Sequence, residues 1–140
     1  MQFATNHLAP FLLSYELLPL LKQAQKARIV NVSSNSHYRG TMNFEDIGYK
    51  NQYNFFKVYA QSKLCNVLFS YYLSRLLAKD QITVNVLHPG LVKTNIGAKN
   101  TKWWESLAWS IWSSRGISVI DGAKTSIYLA SSPEVECVTG

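Results

Sequence analysis

Tyr59 and Lys63 stand four residues apart in the run Tyr-Ala-Gln-Ser-Lys. On a helix that spacing puts both side chains on one face, one turn apart. A phenol beside an ammonium is a proton-transfer device, because the positive charge favours phenolate over phenol. Such a tyrosine can give a proton to a carbonyl oxygen or take one from an alcohol. The spacing alone does not suffice. Tyr53 and Lys57 share it, so the elements around each pair must tell them apart.

Those elements follow from the apolar pattern. Asn6 to about Ala24 reads as a helix, with Leu8, Phe11, Leu12, Tyr15, Leu18 and Leu21 at helical spacing. Arg28 to Val32 is a short β-branched run ending in Ser33-Ser34, and predicts a strand buried on both faces. Val58 to about Lys79 reads as a second long helix, with Leu64, Val67, Leu68, Tyr71 and Leu76 turned inward. Ile82 to Leu87 is a second strand, stopped by His88-Pro89-Gly90. Strand, helix, strand over this length is a βαβ unit with parallel strands and a right-handed crossover. Ligands of such folds collect at the carboxyl ends of the strands. Ser34 lies at one end, Pro89-Gly90 at the other, and Tyr59 opens the helix between them. Tyr53 and Lys57 fall in the irregular approach, so Tyr59 and Lys63 are the favoured pair. Further on, Trp103, Trp104, Leu107, Ala108, Ile111 and Trp112 form the apolar face of a short helix, and Asp121 to Ala130 reads as another.

Composition sets the class. A chain of 140 residues with 47% hydrophobic and 16% charged residues fits one globular domain with a core. No run of apolar residues is long enough to read as a transmembrane helix. The segment Phe11 to Leu21 lacks the basic start and cleavage site of a secretory signal. The net charge of +6 is spread over scattered lysines and arginines, without a basic run, so no nucleic-acid partner is expected. Cys65 and Cys137 are far apart and His7, His37 and His88 are dispersed, so no metal site is expected and a reducing compartment fits best.

In combination these segments resemble the short-chain dehydrogenase/reductase family, in its retinol-dehydrogenase-like and WW-domain-oxidoreductase-like branch. The resemblance is carried by Phe3-Ala4-Thr5-Asn6-His7-Leu8, by Arg28 to Ser34, by Tyr59-Ala60-Gln61-Ser62-Lys63-Leu64, by His88-Pro89-Gly90-Leu91-Val92-Lys93-Thr94, and by the closing stretch from Ile127 to Gly140. It implies an α/β fold, an incomplete Rossmann-like doubly wound parallel sheet forming the C-terminal half. Residues 1–140 would be the catalytic portion of a single domain. It further implies a catalytic tetrad of Asn6, Ser34, Tyr59 and Lys63. Tyr59 would be the general acid/base, Lys63 would assist it and hold the ribose of NADP or NAD, and Ser34 would position the substrate oxygen. Pro89, Gly90, Val92 and Thr94 would join Tyr59 and Lys63 in contacting the cofactor. The implied reaction interconverts an alcohol and a carbonyl on a small apolar substrate such as a retinoid, a steroid or a lipid aldehyde. The resemblance also implies a homo-oligomer built through helices 6–24 and 58–79, and an intracellular site, cytoplasmic or on the endoplasmic reticulum, with membrane association left open.

Several of these residues have a plainer reading. Ser34 alone reads as a strand-end or capping serine, Thr94 as a helix cap, His88 as structural, and the tryptophan face as core or as a membrane-facing patch. Asn6 has a property of its own. In a helix its carbonyl would accept from residue 10, and Pro10 has no N–H. That carbonyl is expected to be free, holding a water that leads to Lys63, unless the helix simply starts near Pro10.

The family's glycine-rich turn for the cofactor pyrophosphate is not found among the seven glycines. Both strands are therefore expected to lose an outer neighbour and expose apolar edges, leaving the chain by itself unstable or inactive. Two functions compete: the catalytic portion of an oxidoreductase, or a non-catalytic fragment that acts by pairing with full-length relatives.

Overall fold

The computed structural model describes residues 1–24, 26–93 and 114–140. The chain is α/β. Strands β1 (Ala27–Val32) and β2 (Ile82–Leu87) pair in parallel, in register from Ala27 with Ile82 to Val32 with Leu87. Between them runs α2 (Phe55–Leu76), so the expected βαβ unit is present. Before it, a π-helical turn (Ala4–Leu8) runs into α1 (Ala9–Gln23). After it, α3 (Val119–Ser131) returns to the sheet. The expected helix at 103–112 and Thr94 lie outside the described residues.

The core lies between α2 and the sheet, where Leu73, Leu77, Ala27, Ile82 and Val84 are buried against Leu18, Leu21, Ile29 and Phe69. Burying each large aliphatic side chain there contributes about 1.5–3 kcal/mol. α3 is tied to β1 by Arg28, whose guanidinium donates to the carbonyls of Leu129 (3.1 Å) and Ser132 (2.8 Å). That satisfies acceptors left open at the helix C-terminus.

Three expectations are corrected. α2 starts at Phe55, not Val58, because the Asn54 side chain caps it by accepting from the Lys57 N–H. Lys57 thus lies in the first helical turn and Tyr53 just outside it. The inward face of α2 is also different. Val58, Gln61, Ser62, Cys65, Asn66, Ser70, Leu73 and Ser74 are buried, whereas Leu68, Tyr71 and Leu76 are exposed. Small and polar residues let the helix approach the sheet closely, and their polar atoms find partners. Ser70 donates to the Asn66 carbonyl and accepts from Asn31, and Ser74 donates to the Tyr71 carbonyl. Last, β1 is not buried on both faces, since Val32 is exposed and Arg28, Ile29 and Val30 are half-buried. Its free edge faces an apolar groove of about 390 Å³ lined by Leu13, Leu17 and Leu21 of α1. The outer edge of β2, in contrast, is covered. The Gly140 N–H donates to the Val84 carbonyl, Thr139 Oγ1 accepts from the Val84 N–H, and Asn85 Nδ2 donates to the Val138 carbonyl.

Candidate active site

The parallel register puts the carboxyl ends of both strands side by side. Ser34 and Pro89 each stand two residues beyond the last pair, Val32 and Leu87. Ser33 fastens this corner. Its N–H donates to the Leu87 carbonyl (2.7 Å) and its buried hydroxyl donates to the Lys63 carbonyl (2.8 Å). The helix that carries the tyrosine and the lysine is therefore pinned to the strand ends.

Tyr59, Ser62, Lys63 and Asn66 follow the i, i+3, i+4, i+7 pattern of one helical stripe. The Lys63 ammonium lies 5.8 Å from the centre of the Tyr59 ring and donates to the Val32 carbonyl at 3.1 Å. Desolvation by burial lowers the Lys63 pKa from its ordinary value. One donor of three is thereby used. Tyr59 is half-buried and stacks on Phe55 at 6.5 Å. Its hydroxyl has no hydrogen-bond partner among the described residues, so it is free to meet a ligand.

Asn6 joins this group from the π turn. Its Nδ2 donates to Ser62 Oγ at 3.2 Å, and Ser62 Oγ in turn donates to the Tyr59 carbonyl at 2.7 Å. The expectation of an unclaimed Asn6 carbonyl is corrected. Asn66 Nδ2 donates to it at 2.9 Å. Pro10 does withdraw the α-helical donor, and the chain responds with a π turn in which the Ala9 N–H reaches back to the Ala4 carbonyl. The carbonyl left over turns to α2.

Ser34 takes up the capping role open to it. Its Oγ accepts from the Ser36 N–H (3.2 Å) at the start of a short helix, Asn35–Arg39. It remains at the strand end beside this group. Pro89, Gly90 and Val92 form a separate strip at the same end of the sheet. Gly90 takes a φ of +78° that disfavours a side chain. Val92 bridges to Ile117 and packs on Gly122 of α3 so closely that a Cβ there would come within 2.6 Å. The structure thus brings Tyr59 and Lys63 together directly and ties Asn6 to their turn through Ser62, with Ser34 following Ser33 at the strand end and Pro89, Gly90 and Val92 beyond the other strand. Sequence reasoning passed over Ser62 and Asn66, although their spacing from Tyr59 and Lys63 on a helix was signal enough.

The family sequence model described as short chain dehydrogenase matches residues 1–105. The chain belongs to the short-chain dehydrogenase family. Human retinol dehydrogenase 14 is 44% identical over 146 residues, covering 100% of this chain and 42% of that protein. Human polyprenol dehydrogenase is 40% identical over 149 residues, covering 99% of this chain and 44% of that protein. The chain thus spans less than half the length of these curated relatives. The crystal structure of an NADPH-bound carbonyl reductase from chicken fatty liver superposes with a TM-score of 0.59 at 25% identity, over 87% of this chain and 43% of that one. The two-stranded sheet seen here is accordingly part of a Rossmann-type fold. Among the described residues, no helix is long and apolar enough to cross a membrane, and no group of three or more histidine, cysteine or acidic side chains could hold a metal ion.

Proposed function

We propose that the chain carries the catalytic portion of a nicotinamide-dependent oxidoreductase that interconverts an alcohol and a carbonyl. One observation carries this reading: a tyrosine hydroxyl with no hydrogen-bond partner among the described residues, beside a half-buried ammonium, at the carboxyl ends of two parallel strands. The residues present suit the cofactor. Lys63 has donors to spare for ribose hydroxyls, and Gly90, between Pro89 and Val92, presents backbone without a side chain. Thr94, outside the described residues, is the further cofactor contact proposed from the family resemblance. A nicotinamide, when bound, supplies or accepts the hydride. The cofactor is NADP or NAD, and the likeness to the NADPH-bound reductase supports the first.

The chain's own residues handle the proton. In the reducing direction Tyr59 gives its phenolic proton to the carbonyl oxygen of the substrate as charge develops there. The Lys63 ammonium, close to the ring, stabilises the phenolate that results. Ser34 exchanges its local bond to Ser36 for one to the substrate oxygen and fixes the approach. Asn6 buttresses the turn of α2 that carries Tyr59, through Ser62. The named relatives act on retinol and polyprenol, which supports an apolar substrate such as a retinoid or a lipid aldehyde. The test is cofactor oxidation at 340 nm with retinal and with medium-chain aldehydes. Turnover with the native protein and none with Tyr59→Phe is expected. Equal rates for the two would overturn the reading.

A second reading has its own observation. The exposed apolar residues of α1 and α2, among them Phe11, Tyr15, Leu68, Tyr72 and Leu76, suit pairing with a related subunit. Sedimentation as a monomer at all concentrations would remove it.

A further inference from the structure

Asn66 is 5% exposed, and every polar atom of its amide is used. Nδ2 donates to the Asn6 carbonyl at 2.9 Å and, at a longer 3.4 Å, to the Val32 carbonyl. Oδ1 lies 2.9 Å from His7 Nδ1. Main-chain carbonyls only accept, so the nitrogen of the amide must face them and the oxygen must face the histidine. An amide oxygen also only accepts. His7 must therefore carry its proton on Nδ1, whatever the state of the other nitrogen. The imidazole is held for that task by Phe3, Phe11 and Phe69, at 5.4, 6.1 and 6.1 Å between ring centres.

This amide meets two parts of the site from a buried position. One is the Asn6 main chain, which has lost its helical donor to Pro10. The other is the Val32 carbonyl, the same oxygen on which the Lys63 ammonium rests. We propose that Asn66 is a positioning residue for the proton-transfer group, holding the Asn6 turn and the carbonyl seat of Lys63 in one arrangement, with His7 fixing which way its amide faces. The assignment rests on the oxidoreductase reading above. A purely structural amide would affect folding alone. A positioning amide affects the rate of the chemical step, and misplacement by about 1 Å can cost on the order of 100-fold in rate.

Kinetics and NMR of the purified protein decide it together. Asn66→Ala is expected to lower kcat by about 10- to 100-fold while KM changes far less. In nitrogen-15 spectra of the ligand-free protein, His7 is expected to be protonated on Nδ1, and Asn66→Ala is expected to release it to the tautomer preferred in solution. His7→Asn, whose amide can donate from the place of Nδ1, should retain most of the kcat that His7→Leu loses. A folded Asn66→Ala with native kcat overturns the proposal. If that variant does not fold, equal kcat in His7→Asn and His7→Leu overturns it. Should the native protein turn over no carbonyl substrate, the functional reading fails, and the side-chain ammonium signal of Lys63 decides the positioning: a shift in Asn66→Ala upholds it and an unmoved signal overturns it.

Discussion

Two tyrosine–lysine pairs with the same spacing stand six residues apart on this chain, and the fold treats them in opposite ways. Tyr53 is 61% exposed, ahead of the helix, with a long 3.4 Å hydrogen bond to Gln2 as its one side-chain bond among the described residues. Lys57 is exposed in the first turn of α2. Tyr59 and Lys63 sit six residues further on, where Ser33, Val32 and Asn6 meet the same helix. Spacing is common to both pairs, so it is the strand ends alongside that single out the second pair for the proposed chemistry. A pair becomes a site when the neighbouring backbone fixes the ammonium and leaves the phenol unclaimed.

The largest effect expected to sharpen this contrast comes from the phenols. Tyr59→Phe should reduce kcat by about 10²- to 10⁴-fold, the range for loss of a positioned acid/base. Tyr53→Phe should leave it unchanged, and steady-state rates for both variants check this. If the two lose activity equally, the contrast collapses.

The lysines come next. Lys63→Met should cost activity heavily and Lys57→Met little. Stability should move the other way. Burial lowers the Lys63 pKa, so in the window between its folded and unfolded values the unfolded chain binds more protons. Native stability should therefore rise as pH climbs from neutrality toward the ordinary lysine range, relative to Lys63→Met. Urea denaturation of both proteins across that range measures it, and a constant difference would show that the ammonium is not desolvated.

Some of this was legible in the sequence and some was not, for definable reasons. The β-branched runs at 28–32 and 82–87 announced strands, and the long helical pattern between them announced a parallel pairing, because only a crossover of that length joins parallel neighbours. Tyr59 and Lys63 were found because both are reactive types. Asn66 was missed because an amide advertises no chemistry until its partners are known, and those lie 34 to 60 residues away. The wrong inward face of α2 has a similar origin. Leu68, Tyr71 and Leu76 look like core, yet close approach to a sheet favours Ser62, Ser70 and Ser74, whose hydroxyls bond within the helix or across to the strand. The cap at Asn54 was readable in the sequence and was overlooked.

A smaller effect probes the loop that precedes both pairs and packs on α2. Gly40 lies so near α2 that a Cβ would meet the Ala60 carbonyl oxygen at 2.7 Å and Leu64 Cβ at 3.0 Å. Buried Gln61 holds the same loop, accepting from the Asn43 N–H and donating to the Ile47 carbonyl. Gly40→Ala should destabilise the protein by about 1–3 kcal/mol in urea titration, since backbone at that distance must move. The smallest effect serves as a control away from both pairs. Thr83 Oγ1 is buried without a partner among the described residues. Thr83→Val should be neutral or stabilise by up to about 1 kcal/mol by thermal denaturation, with activity intact. A clear loss of stability would reveal a partner for that hydroxyl.

The bonds from Val138, Thr139 and Gly140 to β2 have a consequence during biosynthesis. Thr139 reaches a strand residue made 55 positions earlier. At about 5–20 residues per second, Val84 waits roughly 3–11 seconds for that partner. Throughout that interval one side of the newborn sheet is open to other nascent chains. The three residues that cover the β2 edge in the folded protein thus set how long that edge stays open during synthesis.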